Sequence, residues 1–302
     1  MSDLATYLRR IPFLAGAASS AATAQRLAGL TNLNFLVESN GERFVVRVPG
    51  AGTAEYVNRQ AECVAARAAS DAGVNAPVVF FDPHDGLMVT RFVEHAVTMN
   101  ADLFTDLGAV ARAGRAFHKL HTTSKLFATE FRLFPMIDEY KSLLASKAAA
   151  LPAGYDELQV SASATRVALE RTPAPLVPSH CDPLCENFLD TGELMVLIDY
   201  EYAGNNDPMW DLGDLSVEGG FTAEQDRTLM HSYFGHEPPA AQVGRMVAYK
   251  AMCDLLWTLW GAIQHVNANP ADDFWGYAVN RFERCRTLMS SAEYAVHIAN
   301  IA

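Results

Sequence analysis

The sequence is short of basic residues. Its 302 residues include 23 Lys and Arg against 35 Asp and Glu, which gives a formal net charge of −12. Such a chain repels a polyphosphate backbone, and no stripe of Lys or Arg offsets the deficit, so nucleic acid is not an expected partner. An acidic field concentrates cations instead, both divalent metal ions and small organic cations.

Long apolar runs and cysteines are scarce as well. No uncharged apolar run reaches the roughly 18 residues of a membrane-spanning helix, and the first residues lack the basic and apolar stretches of a secretory signal. The five cysteines are scattered, which is not the pattern of a disulfide framework and is typical of a reducing compartment. We therefore expect a cytoplasmic protein without membrane insertion, and nothing in the sequence indicates its oligomeric state.

What the sequence does contain is an ordinary globular composition. Half of the residues are hydrophobic and 19% are charged, without Pro-, Gly- or Ser-rich low-complexity stretches. The length exceeds that of a single ordinary core, so we expect two lobes with a cleft between them.

The first 93 residues predict a small antiparallel sheet with one helix. Residues 34–48 alternate around Asn40-Gly41, which is typical of a β-hairpin, and residues 77–81 and 87–92 are further short strands. Helix-forming residues run from Ala54 to Ala72 and stop at Gly73.

The pattern changes after Glu94 to long helical periods. We expect helices around residues 101–121, 136–170, 206–218, 222–234, 240–266 and 271–299. The exception is the stretch 177–200, which predicts a short strand, a loop and a strand pair. The fold class is therefore α+β, with an N-terminal lobe over residues 1–93 and a larger, mainly helical lobe over residues 94–302.

The densest chemical signal lies in this exceptional stretch. His180, Asp182 and Asn187 occur in the run SHCDPLCEN, and Asp199 follows twelve residues after Asn187. Phosphoryl transfer needs an acceptor for the proton of the attacking hydroxyl and oxygen ligands for Mg²⁺. A hairpin between Asn187 and Asp199 returns the chain to the same edge, so one loop supplies these groups. The alternative is a polar turn with capping Asp and Asn residues.

Three motifs together carry a family resemblance. HCDPLCEN, IDYEY and Asp211 in WDLGD resemble the choline/ethanolamine kinase branch of the aminoglycoside-phosphotransferase-like kinases, from about Phe13 to about Arg284. The resemblance implies a bilobal protein-kinase-like fold that uses ATP and Mg²⁺. By the same resemblance Asp182 is the catalytic base, Asn187 and Asp199 bind Mg²⁺, Asp211 braces the catalytic loop and His180 supports it.

The resemblance extends to the nucleotide side. Gly29, Thr31 and Asn32 fall in what looks like the phosphate-covering loop of the family. Arg47 stands where related kinases often carry a phosphate-contacting Lys, and choline kinases commonly have Arg there. A carboxylate from the next helix should anchor this cation, and Glu62 is the first candidate, with Glu55 the second.

The connection between the lobes supplies the remaining expected ATP contacts. Phe92 and Glu94 lie where the last strand of the first lobe enters the second. The resemblance implies that the backbone of this segment hydrogen-bonds the edge of the adenine.

Aromatic residues near the C-terminus indicate the substrate. Trp257 and Trp260 lie three residues apart on one helical face, and tryptophan is the best aromatic partner for a quaternary ammonium. With Tyr277 they resemble the choline-site helices of choline kinases, and Glu201 adds negative charge. The expected substrate is thus a small cationic alcohol, choline or ethanolamine. A tryptophan stripe at this spacing is also common in a hydrophobic core.

Other interpretations stay open at this point. Asn205-Asn206-Asp207 stands where some choline kinases have a tyrosine, which leaves choline over ethanolamine undecided. A kinase of the same fold acting on an aminoglycoside, thiamine, a sugar or a homoserine-like metabolite would not need the aromatic cage. A catalytically silent nucleotide-binding regulator is a third reading. His118 and His121 are expected to be caps at a helix C-terminus, and a zinc site at Cys181 and Cys185 is not expected.

Overall fold

The N-terminal region contains a five-stranded antiparallel sheet. A computed structural model describes residues 4–16, 24–27, 32–50 and 57–301. The strands of the sheet follow the order β1-β2-β3-β5-β4, and each neighbouring pair is antiparallel. They are β1 (Gln25–Arg26), β2 (Leu33–Ser39), β3 (Glu42–Val48), β4 (Val78–Asp82) and β5 (Leu87–Arg91).

The β2-β3 hairpin forms where the sequence predicts it. Its register pairs Leu33 with Val48 and Ser39 with Glu42. The two turn residues, Asn40 and Gly41, have φ angles of 53° and 78°. Both therefore lie in the left-handed region that a two-residue hairpin turn requires, and Asn-Gly enters this region at low cost.

Two helices accompany this sheet. Helix α1 (Leu4–Arg9) was not predicted, and it packs its buried leucines on the sheet beside Val37 and Phe44. Helix α2 (Arg59–Asp71) begins after Asn58, whose side chain accepts a hydrogen bond from the Ala61 amide, and it ends before Gly73, as expected. The predicted start at residue 54 falls in the segment 51–56, which is outside the described residues.

The C-terminal region is mainly helical. Two of the predicted helices each prove to be two helices. Gly154, with a φ angle of 92°, interrupts the stretch 136–170. Ser291 caps a new helix within the stretch 271–299. The helices are α3 (Leu107–Thr123), α4 (Leu133–Ser146), α5 (Tyr155–Arg171), α6 (Met209–Glu218), α7 (Ala223–Phe234), α8 (Ala240–Val266), α9 (Phe274–Met289) and α10 (Ala292–Ala299).

Short strands hold the polar loop that lies between α5 and α6. Strands β6 (Val97–Thr98), β8 (Phe188–Asp190) and β9 (Met195–Leu197) form one antiparallel sheet, and β7 (Val177–Ser179) pairs with β10 (Gly204–Asn206). The β8-β9 hairpin was predicted, whereas the β7-β10 pair was not. Since the Ile198 amide donates to the Asn187 carbonyl at 2.9 Å, the hairpin returns Asp199 to the edge where Asn187 lies.

Two hydrophobic clusters stabilise these elements. The larger joins α2 to the C-terminal helices, and the smaller lies between α1 and the five-stranded sheet. Within the described ranges, no helix combines the length and the apolar character that crossing a bilayer requires. The fold class predicted from the sequence, an antiparallel sheet followed by a mainly helical region, is confirmed.

Candidate active site

A buried carboxylate at the start of α6 braces the polar loop. The two oxygens of Asp211 accept hydrogen bonds from the backbone amides of His180 and Cys181, both at 2.8 Å. Cys181 has a φ angle of 66°, a conformation that costs a non-glycine residue free energy and must be held by its surroundings. The Asp211 carboxylate supplies part of that hold, since bonds to a charged acceptor are among the stronger ones.

His121 completes the brace, and the expectation that it caps α3 was wrong. Its Nε2 lies 3.0 Å from the Asp211 carboxylate, and its Nδ1 lies 3.0 Å from the Tyr233 hydroxyl. The ring is buried among C-terminal helices rather than directed at the last carbonyls of α3. The spacing of His118 and His121 could not reveal this contact, because Asp211 lies 90 residues away along the chain.

His180 ties the loop to the strand that precedes Asp199. Its ring is fully buried, and Nε2 donates to the Ile198 carbonyl at 2.8 Å. Burial lowers the pKa of this imidazole, against an opposing effect of the Asp211 charge. A neutral ring that donates to a carbonyl orients the loop and is not a proton carrier.

Asp182 lies half-buried at the centre of the loop. Its backbone carbonyl accepts a hydrogen bond of 3.0 Å from the Asn187 side-chain amide. Burial raises the pKa of the Asp182 carboxyl well above its usual range, and the nearby carboxylates of Asp199 and Glu218 raise it further. A carboxylate with raised proton affinity is a better proton acceptor.

Asp199 follows β9, at the edge where Asn187 lies. It has a φ angle of 68°, and 29% of its side chain is exposed. One carboxylate oxygen accepts from Arg47 at 2.9 Å. Because the Asn187 amide nitrogen is bound to the Asp182 carbonyl, its amide oxygen is the atom that can act as a ligand beside Asp199.

Five buried or half-buried charged residues join the five-stranded sheet to the edge of the β8-β9 hairpin. Arg47, which is only 4% exposed, bridges Glu62 and Asp199. Arg59 donates to Glu62 at 2.6 Å and lies 3.3 Å from Glu201. The carboxylate oxygens of Glu62, Asp199 and Glu201 lie within 4.8 Å of one another.

Arg59 is the residue of this group that the sequence reasoning missed. Its position three residues before Glu62 on α2 is the spacing at which opposite charges pair on a helix, so a signal was present. Burial raises the pKa of Glu201 to about 7, with a further contribution from the Asp199 charge.

The remaining nucleotide-side residues are placed unevenly. Gly29, Thr31 and Glu55 lie outside the described residues. Asn32 is buried, and its side chain donates to Glu201 at 3.2 Å while accepting from the Gly50 amide at 3.4 Å. The phosphate-covering role therefore stays a prediction.

Phe92 and Glu94 lie at the exit from β5, and both contact Arg43. The Phe92 amide donates to the Arg43 carbonyl at 3.0 Å, and the Arg43 guanidinium lies 4.6 Å from the centre of the Phe92 ring. Arg43 also pairs with the Glu94 carboxylate at 2.9 Å. Their side chains thus serve the local structure, the Phe92 N–H is already bonded to Arg43, and the contact with the adenine edge stays a prediction.

The structure brings the three predicted aromatic residues together. Ring centres lie 6.4 Å apart for Trp257 and Trp260 and 5.7 Å apart for Trp260 and Tyr277, both edge to face. Trp257 is only 5% exposed, while Trp260 and Tyr277 are half-buried. Trp257 thus has a large packing role, and Trp260 and Tyr277 offer more surface to a ligand.

A cation from the protein itself already contacts this aromatic group. The Arg281 guanidinium lies 4.7 Å from the centre of the Tyr277 ring and pairs with Glu218 at 2.5 Å and Asp254 at 3.2 Å. Sequence reasoning singled out neither Arg281 nor Glu218 as a charge at this place. The two lie on different helices, so no local spacing indicates their contact.

The segment 205–207, where a tyrosine was sought, has a structural role. The Asn205 side chain bonds backbone groups of Phe127 and Thr129 at 2.9 to 3.1 Å. Asp207 pairs with Arg245 and accepts from the Tyr249 hydroxyl at 3.0 Å. These residues anchor the chain below the catalytic loop and do not form a wall of the cage.

The comparisons with known proteins agree with this geometry. The profile described as "Phosphotransferase enzyme family" matches residues 23–243. A choline/ethanolamine kinase family protein from Mesorhizobium loti is 50% identical, covering 99% of this chain and 97% of that one, with a TM-score of 0.91. Choline kinase LicA from Streptococcus pneumoniae is 28% identical over 88% of this chain and 92% of its own, with a TM-score of 0.74.

A structure of LicA in complex with AMP is likewise 28% identical, covering 90% of this chain and 91% of that one, with a TM-score of 0.71. Similarity along the whole chain to proteins of this kind defines the class, which is that of ATP-dependent small-molecule kinases with a protein-kinase-like fold. The chain belongs to the phosphotransferase enzyme family, and within it to the choline/ethanolamine kinases. The resemblance and the prediction of an enzyme are thereby confirmed.

Proposed function

We propose that this kinase transfers the γ-phosphoryl group of ATP to the hydroxyl of a small cationic amino alcohol. Choline and ethanolamine are the first candidates, because the relatives bear these names. The observation that carries the proposal is the contact group of Trp257, Trp260 and Tyr277 within reach of the Asp182 charge, which acts on the pKa of Tyr277. An aromatic surface beside carboxylates suits an organic ammonium.

Asp182 is the proposed proton acceptor. Its loop is braced through Asp211, His180 and His121, so the carboxylate is held in one position before the substrate arrives. Its raised pKa matches the task of taking a hydroxyl proton as the oxygen attacks. In phosphoryl transfer such positioning, with charge stabilisation, supplies most of the catalysis.

The residues present fit a magnesium ion. Asn187 and Asp199 offer an amide oxygen and a carboxylate at one edge, with Glu62 and Glu201 oxygens beside Asp199, and hard oxygen ligands are what Mg²⁺ prefers. When bound with ATP, the ion neutralises charge on the phosphates. Arg47, anchored by Glu62, is the proposed second source of positive charge for the phosphates.

A screen of ATP consumption tests the proposal. The purified protein is assayed with choline, ethanolamine, thiamine and an aminoglycoside, each at saturating ATP and Mg²⁺. We expect turnover with an amino alcohol that exceeds turnover with the other two substrates. Efficient phosphorylation of thiamine or of the aminoglycoside, with none of choline or ethanolamine, would show that the aromatic group has another role.

A further inference from the structure

Three carboxylates lie along one face of α6, at positions i, i+3 and i+7. Asp211 is satisfied by the catalytic loop, and Glu218 by Arg281. Asp214, between them, is 1% exposed, and neither of its oxygens accepts a hydrogen bond from the described residues. A buried carboxylate of this kind is costly, and native proteins rarely leave one unsatisfied.

The neighbours of Asp214 do not resolve this deficit. The Cys253 thiol interacts with the Asp214 carboxyl, but a thiol is a weak donor. Burial raises the pKa of the Asp214 carboxyl well above its usual range, and the charge of Glu218 raises it further. Among the described residues, no N–H or O–H group donates to this carboxyl.

Asp214 lies on α6 between Asp211, which bonds the polar loop, and Glu218, whose partner Arg281 lies 4.7 Å from the centre of the Tyr277 ring. The charge of Asp182 raises the pKa of Asp214. Burial is the largest cause of the raised pKa of Tyr277, and the charges of Glu218, Asp182 and Asp214 raise it further. The group that Asp214 lacks would thus stand among Asp182, Tyr277 and Glu218, where the proposed substrate places its ammonium.

The charge balance points the same way. Asp214, Glu218 and Asp254 face two guanidiniums, those of Arg281 and Arg284. Of these three acids, Asp214 is the one without an ion pair among the described residues. Because Arg281 already lies over the Tyr277 ring, that ring has less aromatic surface to offer a quaternary ammonium.

Resting on the proposed function, we propose that Asp214 accepts a hydrogen bond from an N–H of the substrate ammonium and selects amino alcohols that carry one. Ethanolamine and N-methylated ethanolamines with at least one N–H satisfy the carboxylate, whereas choline has no N–H to donate. A site built to hydrogen-bond a substrate N–H discriminates against an analogue that lacks it, because the analogue leaves the buried group unpaired.

The unaltered enzyme tests the substrate class. kcat/KM is measured for ethanolamine, N-methylethanolamine, N,N-dimethylethanolamine and choline at saturating ATP and Mg²⁺. We expect ethanolamine to exceed choline by about tenfold or more, which corresponds to about 1.4 kcal/mol, with the largest drop at the last methyl group. Equal or better activity with choline overturns the inference while leaving the proposed function intact.

Two variants test the residue. In Asp214→Ala and Asp214→Leu, neither of which leaves a hydrogen-bond acceptor at this position, kcat/KM for ethanolamine should fall about tenfold or more while that for choline changes little, so the preference collapses. Asp226→Asn is the matched control, because this carboxylate also joins α6 to α8, through Ser216 at 2.5 Å and Lys250 at 2.6 Å. It should keep the parent preference.

The possible outcomes separate the two proposals. A preference for ethanolamine that persists in both Asp214 variants, with melting curves like the parent's, overturns the role of Asp214. Failure of all four amino alcohols as substrates, with turnover of a neutral alcohol, removes the proposed function and the inference together. Collapse of the preference in either folded variant, but not in Asp226→Asn, supports the assignment.

Discussion

At the scale of single residues, the site depends on a few carboxylates whose surroundings differ. Asp211 is buried with its oxygens satisfied, whereas Asp182 is half-buried with a raised pKa. The first kind of environment holds a loop in place, and the second favours proton transfer. Identical side chains thus take different roles because burial and neighbours differ.

Asp182→Asn is the first residue-scale prediction. The amide cannot accept the hydroxyl proton, and general-base contributions are typically about 10²–10⁴-fold, so kcat should fall at least about a hundredfold. ATP binding, measured by calorimetry, should stay near the parent value because Asp182 is not a proposed nucleotide contact. Turnover close to that of the parent would remove Asp182 from the mechanism.

Asp199→Ala addresses the metal. Removing this carboxylate leaves Arg47 with Glu62 alone and takes away a proposed ligand, so the Mg²⁺ concentration for half-maximal ATP binding should rise. Asp182→Asn is the control and should keep the parent's Mg²⁺ dependence. If titrations give the same dependence for Asp199→Ala and the parent, the ligand assignment is wrong.

At the scale of elements, helices α6, α8 and α9 set the geometry. A Cβ atom at Gly213 would lie 2.8 Å from the Met246 carbonyl oxygen, so α6 and α8 approach backbone to backbone. This approach places Asp211, Asp214 and Glu218 of α6 beside α8 and, through Arg281, beside α9. The surroundings of these three carboxylates are therefore built by helix packing.

Gly213→Ala tests that packing. The added methyl group forces the two helices apart, and overpacking typically costs about 1–3 kcal/mol. We expect a lower melting temperature together with reduced kcat, because α6 carries the brace of the catalytic loop. Gly16→Ala, where an added Cβ meets no atom within 4 Å, is the control and should melt like the parent.

Trp260, on α8, separates packing from recognition. A desolvated ammonium over an indole gains about 2 kcal/mol, so Trp260→Ala should raise the amino-alcohol KM about tenfold or more, with little change for ATP. Trp260→Phe keeps an apolar ring against Phe274 and Tyr277. Weaker substrate binding at a parent-like melting temperature supports recognition, and a stability loss with unchanged KM shows a core role.

At the scale of the whole molecule, the net charge of −12 bears on the encounter with a cation. The acidic field should draw in an ammonium at low ionic strength, where the Debye length is about 30 Å, and less so at 0.15 M, where it is about 8 Å. We expect the amino-alcohol KM to rise with NaCl while kcat stays constant. A KM that is independent of salt would show that only local contacts matter.

The division into lobes at residues 93 and 94 remains a prediction at this scale. The five-stranded sheet ends at Arg91 and the next strand, Val97–Thr98, pairs with β8 in the C-terminal region. The connection between them holds Phe92 and Glu94 through Arg43.

Much of the fold and of the site could be predicted because the signals are local. Asn40-Gly41 indicates the β2-β3 hairpin by its turn chemistry. A long apolar period indicates the helix over 240–266. The order of residues indicates the loop from His180 to Asn187. The splits at Gly154 and Ser291 were missed although signals were present, because Pro152 and Gly154 are typical helix breakers and Ser291 is a typical N-cap.

Only the tertiary structure decided which distant side chains meet. His121 reaches Asp211, Arg281 reaches Glu218, and Asp214 has no N–H or O–H donor among the described residues, in each case through the packing of separate helices. No periodicity encodes these contacts, because their energies depend on burial and on atoms far apart in the chain. The sequence determined the fold class and the candidate catalytic loop, while packing decided which carboxylates near that loop are satisfied by neighbours and which are not.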